Sequence, residues 1–155
     1  MTDTVNLAEY VTFTTAGQIF GLPIERVQDV FKIGHITRVP LAVPEIAGVL
    51  NLRGRIVTAL NLGDRLELER EAAAPPRMAI GIESGAESFG FLVDAVGEVL
   101  KLPESEREPN PINLDRKLAR VSAGVFRLQG QLLIILDVDR VLDLGTKTVA
   151  ASKAA

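Results

Sequence analysis

Cysteine and tryptophan are absent from the 155 residues, which hold one histidine and one tyrosine, and the longest apolar run is the five residues Leu132–Leu136. Without cysteine there is no disulfide frame and no thiolate zinc site, and a reducing compartment is permitted; the cytoplasm is the expected location. Five apolar residues fall far short of the roughly 18 that suggest a membrane span, so no direct membrane insertion is expected. The opening Met1–Tyr10 carries acids where a secretory signal needs basic residues followed by an apolar run. An excess of positive charge is also missing. With 17 Lys and Arg against 20 Asp and Glu, the net charge is -3, which gives no footprint for a polyanion, and nucleic acid is not an expected partner.

Catalytic constellations are equally scarce. Any acid, base or metal site built on imidazole would have to use His35, which follows a strand pattern with no partner residue suggested by spacing. It reads as an ordinary edge or loop histidine. Asp137, Asp139 and Asp143 offer carboxylate oxygens of the kind that hold Mg²⁺. A helix-start position explains Asp137 and Asp139 without a metal, because acids are favoured at the N-terminal dipole. Glu104 and Glu106 lie in a polar loop where solvation accounts for them. Gly48 and Gly54 bracket Val49–Arg53, but no Gly-Lys-Ser/Thr follows, so they read as strand and turn geometry rather than a phosphate cradle. The expectation is a non-catalytic protein with no metal and no cofactor.

What the chain does contain is a repeat. Shifted by 69 positions, FGLPIERVQDVFKI (Phe20 to Ile33) lies over FGFLVDAVGEVLKL (Phe89 to Leu102). Shifted by 76, GVLNLRGRIVTALNL (Gly48 to Leu62) lies over GVFRLQGQLLIILDV (Gly124 to Val138). The seven-residue difference falls in PESEREPNPINLDRKLA (Pro103 to Ala119), polar and proline-rich as expected of an exposed connection.

Each half reads as five short strands. In the first, Tyr10–Thr15 and Gln18–Leu22 flank an Ala16-Gly17 turn, Val27–Ile33 follows, and Ala47–Leu52 and Arg55–Leu60 flank Arg53-Gly54, where glycine accepts positive φ. The second repeats this with Met78–Glu83, Ser88–Val93, Val96–Leu102, Ser122–Leu128 and Gln131–Leu136. Asn61 and Asp137 then carry side-chain oxygens suited to cap short helices. Five short strands with many turns suggest a barrel, because closure removes exposed edges. The predicted fold is all-β with short helices: two packed five-stranded β-barrels related by an internal duplication. A unit of about 65 residues is marginal alone, and Leu132–Leu136 lacks the alternation of a strand with one wet face, so the barrels should pack together. The expected organisation is an N-terminal arm 1–8, a first barrel half 9–70, a linker 71–76, a second half 77–144 and a disordered tail 145–155. Exchange of strands between the halves stays open.

The halves differ at one equivalent hairpin tip: Asn51-Leu52-Arg53-Gly54-Arg55 against Arg127-Leu128-Gln129-Gly130-Gln131. The scaffold needs only the glycine, and an arginine on a rigid tip is suited to fork-like hydrogen bonds to a partner's carboxylate or carbonyl groups.

The run GVLNLRGRIVTALNLGDRL (Gly48 to Leu66) resembles the signature of the CheW family of chemotaxis coupling proteins, in which Asn-Leu-Arg-Gly precedes a buried strand. The resemblance extends from EYVTFTTAGQIFGLPIERVQDV through FGFLVDAVGEVLKLP to the final strand. It implies two five-stranded barrels packed on a hydrophobic interface, and a stand-alone adaptor joining the regulatory domain of the histidine kinase CheA to the cytoplasmic tips of methyl-accepting chemoreceptors in membrane-associated arrays. By position it implies receptor contacts at Ile24, Val27, Asp29 and Arg53, and kinase contacts at Val96 and Val99. Two departures stand out: where the family usually continues Arg-Gly-x-Val-Val-Pro, Arg53-Gly54-Arg55 is followed by Ile56-Val57-Thr58-Ala59, and Asn61-Leu62-Gly63 stands where it usually has Asp-Leu-Arg. An adaptor for another array, controlling pilus motility or development, would look much the same, and a small-molecule-binding barrel is the more distant alternative.

Overall fold

The computed structural model describes residues 6–40, 45–68 and 76–143. Most of the proposed linker, the first five residues of the arm and the proposed tail therefore lie outside the described residues. Ten strands follow in order: β1 (Leu7–Thr15), β2 (Gln18–Pro23), β3 (Val27–Lys32), β4 (Ile46–Leu52), β5 (Arg55–Asn61), β6 (Met78–Ser84), β7 (Glu87–Val93), β8 (Ala95–Pro103), β9 (Ser122–Leu128) and β10 (Gln131–Leu136). Each overlaps a strand expected from sequence. Two short helices are α1 (Leu62–Arg65) and α2 (Arg116–Val121), and residues 138–143 are also helical. The caps fall where the sequence puts them: Asn61 Oδ1 accepts from the Asp64 N–H at 3.2 Å and Asp137 Oδ1 from the Arg140 N–H at 3.2 Å. Helix α2 corrects the reading of Pro103 to Ala119 as connection alone. Asp115 caps it through the Lys117 N–H, and its apolar face buries Leu118 and Val121 in the core.

The strands form two five-stranded sheets, ordered β8-β1-β2-β10-β9 (sheet A) and β3-β6-β7-β5-β4 (sheet B). The sheets do not coincide with the repeats. Each combines the leading hairpin of one repeat with the three following strands of the other, so sheet B is the continuous stretch β3 to β7, while sheet A gathers both ends of the chain. The orders match strand for strand under the repeat, which places equivalent residues on equivalent strands.

Nor does a ladder close either sheet. The segment after β3 meets β4 at one bridge, Thr37–Val49, and the segment after β8 meets β9 at one bridge, Glu108–Val125. Each bridge follows a glycine of the repeated pair, Gly48 (φ 148°) and Gly124 (φ 127°). A Cβ on Gly48 would collide with the Thr37 carbonyl, whereas one on Gly124 would meet the flexible Arg107 side chain at 3.0 Å and the Glu108 carbonyl oxygen at 3.1 Å. The two glycines thus let the chain cross closely where the sheet ends are tied.

Three cores result. The largest lies between the sheets and unites Phe13, Phe20, Ile134 and Leu136 of sheet A with Leu60, Ile80, Ile82 and Phe91 of sheet B. A second lies on the other face of sheet B (Leu50, Val57, Ala59, Ala79, Leu92), a third on the other face of sheet A (Tyr10, Phe126, Leu133, Ile135). The unalternating run Leu132–Leu136 is explained: Leu132, Ile134 and Leu136 enter the shared core, Leu133 and Ile135 the inner core of sheet A.

Gly48→Ala is expected to destabilise the protein by roughly 1–3 kcal/mol, since an alanine there is strained in φ and meets backbone. Gly124→Ala should lose less, because arginine can move aside. Urea unfolding of both variants measures the difference.

Candidate functional site

The chain crosses from sheet A to sheet B through a 3₁₀ turn, Ile24–Arg26, started by Pro23, which cannot continue the ladder of β2. Ile24 is 38% exposed there. Arg26 anchors the turn by donating from both terminal nitrogens to the Asp139 carboxylate, at 3.1 and 3.3 Å. The return crossing is fixed at Asp94, whose N–H donates to the Thr14 carbonyl and whose Oδ2 accepts from the Ala16 N–H.

Val27, the first residue of β3, pairs with Ile82 and packs half-buried against the shared core. Its repeat mate Val96 does the same opposite Phe13. These two positions serve the core. Val99 differs: it stands 47% exposed on β8 opposite Val11. A bulge between Val27 and Asp29 shifts the register of β3, setting Asp29 opposite Gly81 on β6. The Asp29 carboxylate lies over Gly81 so closely that a Cβ there would overlap Oδ1. Oδ1 is buried and has no hydrogen-bond partner among the described residues. Oδ2 stands 3.8 Å from Arg55 Nη2.

Arg55 opens β5 directly after the Arg53-Gly54 turn. Both turn residues have positive φ, 53° and 83°, the pattern of a type I′ hairpin, and Asn51 Oδ1 accepts from the Gly54 N–H at 2.8 Å. Arg53 is exposed and makes no ion pair among the described residues. Its counterpart in the second half is not geometrically equivalent. Only Gly130 has positive φ in that turn, 74°, while Gln129 keeps an ordinary backbone. A non-glycine residue in the left-handed region costs about 1–3 kcal/mol, so Arg53 sits where local energetics disfavour it. The structure thus gathers Asp29 and the Arg53 hairpin through Arg55, sets Ile24 on the adjoining crossing, and assigns Val27 to the core.

Sequence reasoning passed over Arg55 and Gly81. The signal for Arg55 was in the hairpin comparison itself, since its mate is Gln131 just as that of Arg53 is Gln129. Gly81 has Thr12 as its repeat mate, a difference that gains meaning only from the register opposite Asp29.

Two other polar features are internally satisfied or buried. A half-open cavity of about 430 Å³ beside Ile24 is walled by Tyr10, Glu104 and Arg107. Tyr10 Oη donates to Glu104 Oε1 at 3.1 Å and Arg107 pairs with Oε2 at 3.1 Å, so Glu104 is committed to the wall. Burial, then the Glu104 charge, pushes the Tyr10 hydroxyl above the usual phenol range. Arg65 is buried between α1 and the helical residues 138–143, donating from Nη1 to the Val141 carbonyl at 2.8 Å. Burial lowers its pKa, which the Glu45 carboxylate opposes. Among the described residues no group of three or more His, Asp or Glu side chains is arranged to hold a metal ion, and no helix is long and apolar enough to cross a membrane.

Comparison with known proteins finds relatives along most of the chain. The Chemotaxis protein CheW of Thermotoga maritima is 28% identical over 143 residues, covering 92% of this chain and 93% of its own. That of Bacillus subtilis is 29% identical over 133 residues, covering 86% and 85%. The crystal structure of the scaffolding protein TtCheW from Thermoanaerobacter tengcongensis superposes with a TM-score of 0.74 at 28% identity, covering 84% of this chain and 89% of that one. The CheW-like domain matches residues 9–145, and the chain belongs to that family.

Proposed function

We propose that this protein is a chemotaxis scaffold that couples the histidine kinase CheA, through its regulatory domain, to the cytoplasmic tips of methyl-accepting receptors, and that binding is its whole activity. The observation that carries the reading is Arg53: an exposed guanidinium with no ion pair among the described residues, on a rigid hairpin of a fold shared with a scaffolding protein. The same left-handed pair occurs at Ala16-Gly17, so the turn geometry belongs to the hairpin, and what this tip adds is a rigidly held, exposed charge. The receptor surface comprises Ile24, Asp29 and Arg53, with Val27 supporting them from the core. The kinase surface includes Val99, with Val96 on the same strand packed against the shared core. Recruitment to receptor arrays from the cytoplasm follows from these contacts.

Arg53→Gln exchanges one left-handed, unbranched side chain for another, so the melting curve should match that of the wild type. Affinity for receptor signalling fragments should fall about 10-fold to 100-fold, the worth of one charge-assisted hydrogen bond. Affinity for the kinase regulatory domain should hold. Unchanged receptor affinity in a folded variant would make Arg53 a solvated turn residue and remove it from the surface.

Ile24 and Val27 separate contact from core. Ile24→Asp places a charge at an exposed site and should weaken receptor binding with little change in melting temperature. Val27→Asp places one against the shared core and should cost roughly 1–3 kcal/mol of stability. Thermal unfolding together with receptor titration of both variants measures the contrast, and equal loss of stability in the two would assign Ile24 to the core as well.

A further inference from the structure

Asp29 has more acceptor capacity than the fold satisfies. Oδ1 is buried over Gly81 without a donor among the described residues, and Oδ2 has Arg55 Nη2 at 3.8 Å, beyond the length of a hydrogen bond. The notch that admits this carboxylate belongs to sheet B alone. At the equivalent place in sheet A the glycine is replaced by Thr12, whose hydroxyl donates to the backbone carbonyl of Glu98, the mate of Asp29, and the Glu98 side chain is exposed. The cation is also peculiar to this half, since Gln131 stands where Arg55 does. Both ends of the loose pair reach solvent, with side-chain exposures of 40% for Arg55 and 32% for Asp29. An under-coordinated carboxylate with a weakly engaged internal cation is an acceptor site open to a better donor.

We propose that the Asp29–Arg55 pair is replaced when the receptor presents a basic side chain to the Asp29 carboxylate, so that Arg55 acts as an internal competitor setting the strength of that contact. This rests on the receptor-binding reading above. An incoming Arg or Lys makes the charge-assisted hydrogen bond that Arg55 does not make, and turning the carboxylate toward it brings the orphaned oxygen within reach of donors. Arg55, displaced, returns to water at little cost because exposed pairs are weak.

The test is a double-mutant cycle on the full chain, titrated with receptor signalling-tip fragments at low and high salt. Arg55→Gln should tighten binding about 2-fold to 5-fold at low salt, the range set by a surface ion pair, and by less at high salt. Asp29→Asn should weaken it about 10-fold or more. In the Asp29→Asn background, Arg55→Gln should have no further effect, a non-additivity that a merely structural role of Arg55 would not produce. Melting curves check folding. Weaker or unchanged binding by folded Arg55→Gln, or additive effects in the cycle, would overturn the proposal. Failure of the wild-type chain to bind receptor fragments at all would overturn the receptor reading on which it rests, and is distinguishable because every arm would then be silent.

Discussion

Everything in this molecule leans on the apolar layer shared by its two sheets. Each sheet has two dry faces, one filled by its own inner core and one closed by the opposite sheet together with the short helices. Separated, sheet A would expose Phe13, Phe20 and Ile134, and sheet B would expose Ile80, Ile82 and Phe91. Burial of side chains of this size is worth about 1.5–3 kcal/mol each, and a unit of about 65 residues has little stability to lose. Strand exchange between the repeats reinforces the dependence, because sheet A exists only when both ends of the chain have assembled around the middle.

That layer also fixes where function can sit. The two crossings between sheets, at Ile24–Arg26 and at Asp94, lie at its margin and are pinned by hydrogen bonds to opposite parts of the fold: Arg26 to Asp139, and Asp94 to Thr14 and Ala16. A side chain on such a crossing is rigid without being buried. Ile24 has this property, and the β4–β5 hairpin has it for a different reason, since a type I′ turn locked by Asn51 leaves the tip little freedom. Rigidity before binding limits the ordering cost of association, which suits a protein whose work is contact.

Much of this was legible in the sequence. The ten strands, the helix caps at Asn61 and Asp137 and the need for a shared interface follow from period, turn residues and the unalternating Leu132–Leu136. Helix α2 was missed because its amphipathic stretch spans only Leu118 to Val121 inside a polar, proline-rich run, too short for a helical period to register. The partition of strands between sheets was not legible, because either pairing of two repeated hairpins satisfies the same hydrophobic pattern. The bulge at Val27/Asp29 was hidden for a related reason: one extra residue reverses which face each later side chain occupies, and sequence alternation alone does not record it. That reversal sends Val27 to the shared core and Asp29 to the notch over Gly81.

The repeat offers a physical way of sorting residues that a single domain does not. Equivalent positions fall on equivalent strands, so a residue kept alike in both halves answers to the scaffold: Gly48 and Gly124 where the chain crosses itself, Val27 and Val96 against the shared core, Phe20 within it and Phe89 packed against it. A residue that differs is free of that demand. Arg53, Arg55 and Gly81 all differ from their mates: Gly81 lies beneath the Asp29 carboxylate, Arg55 pairs loosely with it, and Arg53 stands on the tip of the hairpin that Arg55 leaves. Breaking the symmetry costs the fold little on sheet A and gives sheet B a charged, under-coordinated rim. Duplication supplied two copies of one surface, and the chemistry lies where the copies no longer agree.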